Sequence, residues 1–146
     1  MTQEQKDLLL KDISARLPYG VKCAEVYPDG NKFENEWDII RISKYVEDGI
    51  HISNCKTTYG YCSSIENIKP YLFPISSITD EQRNEFPFEF SLLNAFINGY
   101  IYMFEDEELT VDDIIRMLDC LNRNNIDYRG LIDKGLAIDA TGLNIY

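Results

Sequence analysis

The sequence predicts an α+β protein, in which a small, mainly antiparallel sheet of three to four strands accompanies an N-terminal helix and a helical C-terminal half. Apolar residues recur at helical spacing near the N-terminus, then at alternate positions, and again at helical spacing after residue 79. The length of 146 residues is close to the commonest size of one domain. We therefore expect a single domain over 1–146, with the N-terminal helix and sheet at about 1–68 and the helical half at about 79–135.

The first element is predicted to be a helix that begins after Thr2. Thr2 and Gln5 have the spacing of a capping box, in which each side chain accepts a hydrogen bond from the other residue's backbone N–H. Pro18 and Gly20 are expected to end the helix. The apolar stripe consists of Leu9, Leu10, Ile13 and Leu17.

A period of two then predicts strands. The first strand begins at Val21, residues 37–55 have the pattern of a β-hairpin whose first strand runs from Trp37, and Tyr59 and Tyr61 indicate a fourth strand. A sheet of this size needs a helix against one face to be stable, and the N-terminal helix can supply it.

An extended linker and two helical pieces are predicted next. Lys69–Pro74 is the linker, because each proline disfavours helix in the residue before it. Thr79 is expected to cap a helix, with Gln82 at the capping-box position. Pro87 interrupts this helix, and 88–98 is predicted to form a second helical piece.

The clearest helix of the C-terminal half is predicted to begin after Thr110. Asp112 and Asp113 lie in its first turn, where the helix macrodipole favours carboxylates. Asp127 is expected to cap a short helix over 128–133, and the C-terminal tail is expected to pack against the rest of the domain. The apolar stripe predicted for the helix after Thr110 consists of Ile114, Ile115, Leu118 and Leu121.

Negative charge is concentrated in the second half of the chain. Residues 1–78 hold 11 acidic and 9 basic side chains, whereas residues 79–146 hold 14 acidic and 5 basic ones, out of a total net charge of −11. Such a field repels phosphates and anionic membranes, so we expect neither direct nucleic-acid binding nor membrane binding. A protein partner with a basic or mixed surface is the expected kind of partner.

No feature of the sequence predicts a membrane-spanning segment or a secretory signal. No apolar run approaches the roughly 18 residues that cross a bilayer, and the N-terminus lacks a basic segment followed by an apolar one. We therefore expect a cytoplasmic protein with free thiols.

The four cysteines and the single histidine suggest at most one metal site. His51, Cys55 and Cys62 could supply three ligands from neighbouring strands, but no Cys-x-x-Cys motif accompanies them. Ordinary packing explains these residues and Cys23 and Cys120 equally well, because a free cysteine commonly packs as a small apolar side chain. No cofactor is predicted.

Two clusters form the candidate interaction surface. The aromatic cluster is Phe86, Phe88 and Phe90, which lie around a proline that breaks the helix. Aromatic rings of this kind pack either in a hydrophobic core or in a protein–protein interface. The acidic one could bind a divalent cation, but it lacks the spacing of a calcium loop, and a solvated acidic loop explains it as well. This acidic cluster consists of Glu105, Asp106, Glu107, Glu108, Asp112 and Asp113.

The sequence contains no catalytic motif. It has neither a G-x-S-x-G elbow nor a glycine-rich phosphate loop, and a single histidine leaves few bases for a nucleophile. We expect a non-enzymatic interaction protein that uses its acidic C-terminal half. The alternative is a small metal-binding protein or enzyme built on the carboxylates of 105–113.

Three stretches of the sequence are distinctive together: Leu8–Asp12 with Ala15–Lys22, Lys69–Pro74 with Ser76–Thr79, and Asp127–Ile132 with Gly135–Ala137. In their order and spacing they resemble a family of small uncharacterised proteins encoded by gut Bacteroidales and by their phages and mobile elements. The resemblance implies a bacterial or phage setting and a cytoplasmic location, and it implies no activity and no functional residues. Within these stretches, Arg16 and Arg129 are isolated cations in acidic surroundings, and we expect them to pair with acids and hold the termini together.

Overall fold

A computed structural model describes residues 1–27, 37–39, 41–45, 49–53, 62–86, 93, 97 and 110–146. It confirms the predicted α+β class, with an N-terminal helix, β-sheet and a C-terminal helix. The helices are α1 (Gln3–Arg16), α2 (Asp80–Arg83) and α3 (Val111–Arg123). The strands are β1 (Val21–Glu25), β2 (Trp37–Ile39), β3 (Arg41–Tyr45), β4 (Gly49–Ser53), β5 (Cys62–Ser64), β6 (Ile68–Leu72) and β7 (Ile138–Asp139).

The start of α1 is fixed by the predicted capping box. The Gln5 backbone N–H donates to Thr2 Oγ1 at 3.2 Å, and the Thr2 N–H donates to Gln5 Oε1 at 2.9 Å, so two N–H groups that lack helical partners are satisfied. The helix ends in the 3₁₀ turn Leu17–Tyr19, and Gly20 at φ 84° turns the chain into β1. The predicted boundaries of this element are confirmed.

A four-stranded sheet has the order β2-β1-β6-β7. The first two pairs are antiparallel, but β6 and β7 are parallel, so this sheet is mixed rather than purely antiparallel. The prediction of a linker at Lys69–Pro74 is wrong, because most of that segment is the inner strand β6.

Pro70 fits inside this sheet because of the hydrogen-bond register. Val26 N donates to Asn67 O at 2.7 Å, so Val26 and Asn67 form a hydrogen-bonded pair in continuation of the β1–β6 ladder. Hydrogen-bonded and non-hydrogen-bonded pairs alternate along an antiparallel ladder, which makes Cys23–Pro70 a non-hydrogen-bonded pair. The pairing with β1 therefore requires no backbone N–H at position 70, and proline, which has none, is tolerated there.

A second, three-stranded antiparallel sheet has the order β3-β4-β5. The pairing of β3 with β4 confirms the predicted hairpin. The single strand expected from Trp37 onward is wrong: β2 pairs with β1 in the first sheet, whereas β3 belongs to the second. Tyr59 and Tyr61 lie outside the described residues.

The C-terminal half has the predicted helix starts. Thr79 and Thr110 cap α2 and α3, each through a capping box. The short helix expected over 128–133 is wrong, because that segment forms turns. Asp127 holds these turns with both carboxylate oxygens, which accept the backbone N–H groups of Leu131 and Ile132 at 2.8 Å each. Of residues 88–98, only Leu93 and Ile97 are described.

Buried side chains from α1 and both sheets share one core cluster. A second cluster joins α3 to the segments around Ile78, Phe86 and Ile126. The tail packs as expected, since Ala140 and Ile145 are buried beside Tyr71. Among the described residues, no helix is long and apolar enough to cross a membrane.

Candidate interaction surface

The acidic first turn of α3 is held by its own side chains. Asp113 Oδ2 accepts from the Thr110 N–H at 3.1 Å and from Thr110 Oγ1 at 2.6 Å, and these bonds lower the pKa of Asp113. Asp112 forms an ion pair with Arg116 at 2.9 Å one turn further along. Asp113 therefore caps the helix start and Asp112 is paired along the helix, while Glu105, Asp106, Glu107 and Glu108 lie outside the described residues.

The predicted aromatic cluster is described at one residue only. Phe86 is 8% exposed and packs in the core cluster that contains Met117 and Leu121. Its ring is therefore buried, so of the two roles left open for this cluster, core or interface, Phe86 has the core role. Phe88 and Phe90 lie outside the described residues.

The outward face of α3 differs from the predicted apolar stripe. Met117, Cys120 and Leu121 are the buried residues of its inner face, whereas Ile115 is 51% exposed and Val111 is 74% exposed. Val111 and Ile115 are four residues apart, so they are neighbours on one face of the helix. The sequence indicated α3 itself but assigned Ile115 to the wrong side.

The outward face continues onto the end of α1. Asp119, four residues after Ile115, accepts a hydrogen bond from the Tyr19 hydroxyl at 2.8 Å. This bond raises the pKa of Tyr19, because the phenol proton is shared with a carboxylate. We call the surface formed by Val111, Ile115, Asp119 and Tyr19 the α3 ridge.

A groove of about 250 Å³ lies at the C-terminal end of the α3 ridge. Arg123 at its edge is held by Glu85 at 2.9 Å, and the rings of Phe73 and Tyr146 lie 5.8 Å apart. We call this the terminal groove. Its lining consists of Tyr19, Gly20, Phe73, Gln82, Arg123, Asn124, Asn125 and Tyr146.

The groove floor is shaped by the way in which α3 ends. Asn125 has φ 53°, its N–H donates to Asn122 O at 3.1 Å, and the Ile126 N–H donates to Leu121 O at 2.9 Å. These are the two bonds of a Schellman motif, with asparagine in the left-handed position that glycine usually takes. Asn125 Oδ1 is buried and has no hydrogen-bond partner, the only such side-chain atom among the residues that the structure describes.

A buried ion network anchors α1 to the chain beyond α3. Asp12 and Arg16 are both 0% exposed and form a two-bond pair at 2.8 and 3.0 Å. Arg129 donates to Asp12 Oδ1 at 2.9 Å, and Arg16 Nη2 donates to Ile126 O at 2.8 Å. The predicted pairing of Arg16 and Arg129 with acid is confirmed, and both cations share one carboxylate.

Tyr128 lies beside this network. Its ring centroid is 4.4 Å from the Arg129 guanidinium carbon and 5.5 Å from that of Arg16, within the range of cation–π contact. Its hydroxyl donates to Asn122 Oδ1 at 3.1 Å, and burial raises its pKa. Tyr128 and Asp127 also line a cavity of about 500 Å³, but each already has a structural partner.

Two cysteines lie inside the protein. Cys23 and Cys120 carry buried thiols, and burial is the largest cause that raises the pKa of each. Cys55 lies outside the described residues, as do the side chains of His51 and Cys62, so metal binding by these three stays a prediction. In the described part of the chain, no group of three His, Cys, Asp or Glu residues could hold a metal ion.

One buried polar contact was missed at the sequence level. Ser63 of β5 donates a hydrogen bond to Glu25 of β1, which is 4% exposed, and so links the two sheets. The two residues are 38 positions apart, and no local pattern signals the contact.

No protein-family model matches this chain, and no curated protein or solved structure is significantly similar to it.

Proposed function

We propose that this chain is a non-enzymatic interaction protein of bacterial, phage or mobile-element origin, which acts in the cytoplasm and binds a basic protein surface through its acidic C-terminal half. The observation that carries the proposal is the excess of 14 acidic over 5 basic side chains in residues 79–146. Charge of one sign on part of a protein steers partners of the opposite sign and repels those of the same sign.

The described part of this half adds support at α3. Asp112 is 66% exposed, and beside it stand the apolar side chains of the α3 ridge. An interface needs apolar contacts for affinity and charged contacts for association rate and specificity, and both are present on this helix. Proteins that handle nucleic acid are one class of partner with suitable surfaces, because they carry Lys and Arg to neutralise phosphates.

Affinity purification with the tagged full chain, followed by mass spectrometry, tests the proposal. We expect a basic protein that is captured at about 0.05 M salt and released at about 0.5 M, where the Debye length is shorter. The matched control is a variant in which the six acids of the 105–113 cluster are replaced by Asn and Gln. Equal capture by this variant would contradict the proposal.

The metal-binding alternative predicts a different response. A cation held by the carboxylates of 105–113 would stabilise the fold by mass action and raise the melting temperature of the wild type but not of the neutralised variant. The interaction proposal predicts no such difference with Mg²⁺, Mn²⁺ or Ca²⁺ at millimolar concentration.

A further inference from the structure

Exposed apolar side chains are concentrated on the α3 ridge and the terminal groove. Scattered exposed apolar residues are normal on any protein, so the pair Val111 and Ile115 alone would carry no inference. However, Tyr19 and Tyr146 are also 39% and 49% exposed, and both line the groove. Four of the seven large apolar or aromatic residues exposed in the described part of the chain therefore belong to this one surface.

The surface is continuous and has the length of a peptide-binding site. The Tyr19–Asp119 hydrogen bond joins the helix face to the rim of the groove. Val111 and Arg123 are 12 residues apart, which corresponds to about 18 Å along a helix axis, and the groove extends the surface further. A segment of three to four helical turns matches this length.

The charges of the surface indicate which occupant it favours. Three carboxylates and two guanidinium groups border the ridge and groove, and both guanidinium groups are already paired, Arg116 with Asp112 and Arg123 with Glu85. Asp119 remains as the negative surplus of this surface, and it forms no ion pair within the described residues. A second copy of this chain is disfavoured as the occupant, because each copy carries a net charge of −11.

We propose that the α3 ridge and the terminal groove together bind one cationic amphipathic segment of a partner protein. Apolar side chains one turn apart on that segment contact Val111 and Ile115, a Lys or Arg lies against Asp119, and a larger side chain enters the terminal groove. This is the binding mode in which a helix lays its apolar face on a complementary surface. The inference rests on the proposed function, because it names the segment through which the basic partner binds.

Selection from a displayed library of random peptides tests the inference without a known partner. The immobilised full chain selects from peptides of about 16 residues, which span about 24 Å as a helix. We expect enriched peptides that combine Lys or Arg with apolar residues at i and i+4. Their affinity should fall about tenfold, or ~1.4 kcal/mol, for the double variant Val111→Ser/Ile115→Ser.

Leu143→Ser is the matched control, because Leu143 is 46% exposed but belongs to neither the ridge nor the groove lining. It should bind the selected peptides as the wild type does, and the melting temperatures of all variants should agree because the substituted side chains are exposed. Cationic peptides that bind the double variant as tightly as the wild type would overturn the inference and leave the proposed function standing. A selection without cationic enrichment would overturn both. A dimer in light scattering that dissociates in the double variant would also overturn the inference, since the occupant would be a second copy.

Discussion

Replacement of Asp12 by alanine should destabilise the protein far more than any single surface substitution. Asp12 is 0% exposed and receives hydrogen bonds from both Arg16 and Arg129. Its removal leaves the fully buried Arg16 without a counter-charge, although the carbonyls of Leu121 and Ile126 still accept hydrogen bonds from its guanidinium. The loss of one member of a buried ion pair costs about 3–5 kcal/mol, because the remaining charge is desolvated and unpaired.

This cost is a large part of the stability of an ordinary domain. The free energy of unfolding of native proteins is about 5–15 kcal/mol. In a chain of this size, a loss of 1 kcal/mol lowers the melting temperature by about 2–4 °C. Asp12→Ala should therefore lower the melting temperature by roughly 6–20 °C. Arg129→Ala should cost less, because Arg129 is 20% exposed and its removal leaves Asp12 still paired with Arg16.

The assay is thermal and urea unfolding followed by circular dichroism, with Asp7→Ala as the control on the exposed side of the same helix. The double variant Asp12→Ala/Arg129→Ala should lose less than the sum of the two single losses, because both substitutions break the same hydrogen bond. A melting temperature of Asp12→Ala within about 2 °C of the Asp7→Ala value would refute the reasoning.

Four further predictions concern single residues. Asn125→Gly should raise the midpoint of urea unfolding, because glycine adopts φ 53° freely and the substitution removes an unpaired buried oxygen. Asn125→Ala should lower the midpoint, because alanine is strained at this positive φ. A lower midpoint for the glycine variant would contradict this reasoning. Thr110→Ala should cost about 1 kcal/mol in the same assay, because Asp113 and the first turn lose their cap; an unchanged midpoint would count against the cap. Tyr146 is 49% exposed as a whole, but its hydroxyl donates to Tyr71 O at 2.8 Å, and desolvation raises its pKa to about 12, above about 10 in the unfolded chain. The stabilisation from the protonated hydroxyl is therefore complete below about pH 10 and is lost as the pH rises towards 12. Urea unfolding across that range should show a smaller loss for Tyr146→Phe than for the wild type, and equal losses would argue against it. Cys23, with the other three cysteines replaced by serine, should react with a thiol reagent only after unfolding, since burial raises its pKa; rapid labelling of the folded protein would contradict its burial.

The helix starts could be predicted because the signals are local. Thr2 with Gln5, Thr79 with Gln82, and Thr110 with an acid three residues later each form a capping box within one turn. A capping box depends on neighbouring residues alone, so it can be recognised in the sequence without knowledge of the tertiary fold.

Strand β6 could not be predicted, because proline is rare inside sheets and argues against a strand. Pro70 is accommodated only because the register with β1 makes Cys23–Pro70 a non-hydrogen-bonded pair, and a register depends on two distant segments. The split between β2 and β3 has the same cause, since β2 pairs with β1 instead of continuing into the hairpin.

The candidate site was predictable in charge but not in shape. Its acidity follows from counting residues, and the pairing of Arg16 and Arg129 with an acid follows from their isolation among acids. The outward position of Ile115 follows from the helical period, which the prediction did not apply strictly: Ile114, Met117, Leu118 and Leu121 recur at i, i+3, i+4 and i+7 on the inner face, and Ile115 falls outside this series. The groove is lined by five separate segments of the chain, so no local sequence pattern could predict it.

The salt dependence of partner affinity tests the central claim most directly. The captured partner is purified, and its dissociation constant for the full chain is measured by fluorescence anisotropy from about 0.05 M to about 0.5 M salt, over which the Debye length shortens about threefold. Binding through the acidic C-terminal half predicts an affinity that falls by tenfold or more, equivalent to at least ~1.4 kcal/mol. An affinity that stays constant across this range would contradict the claim.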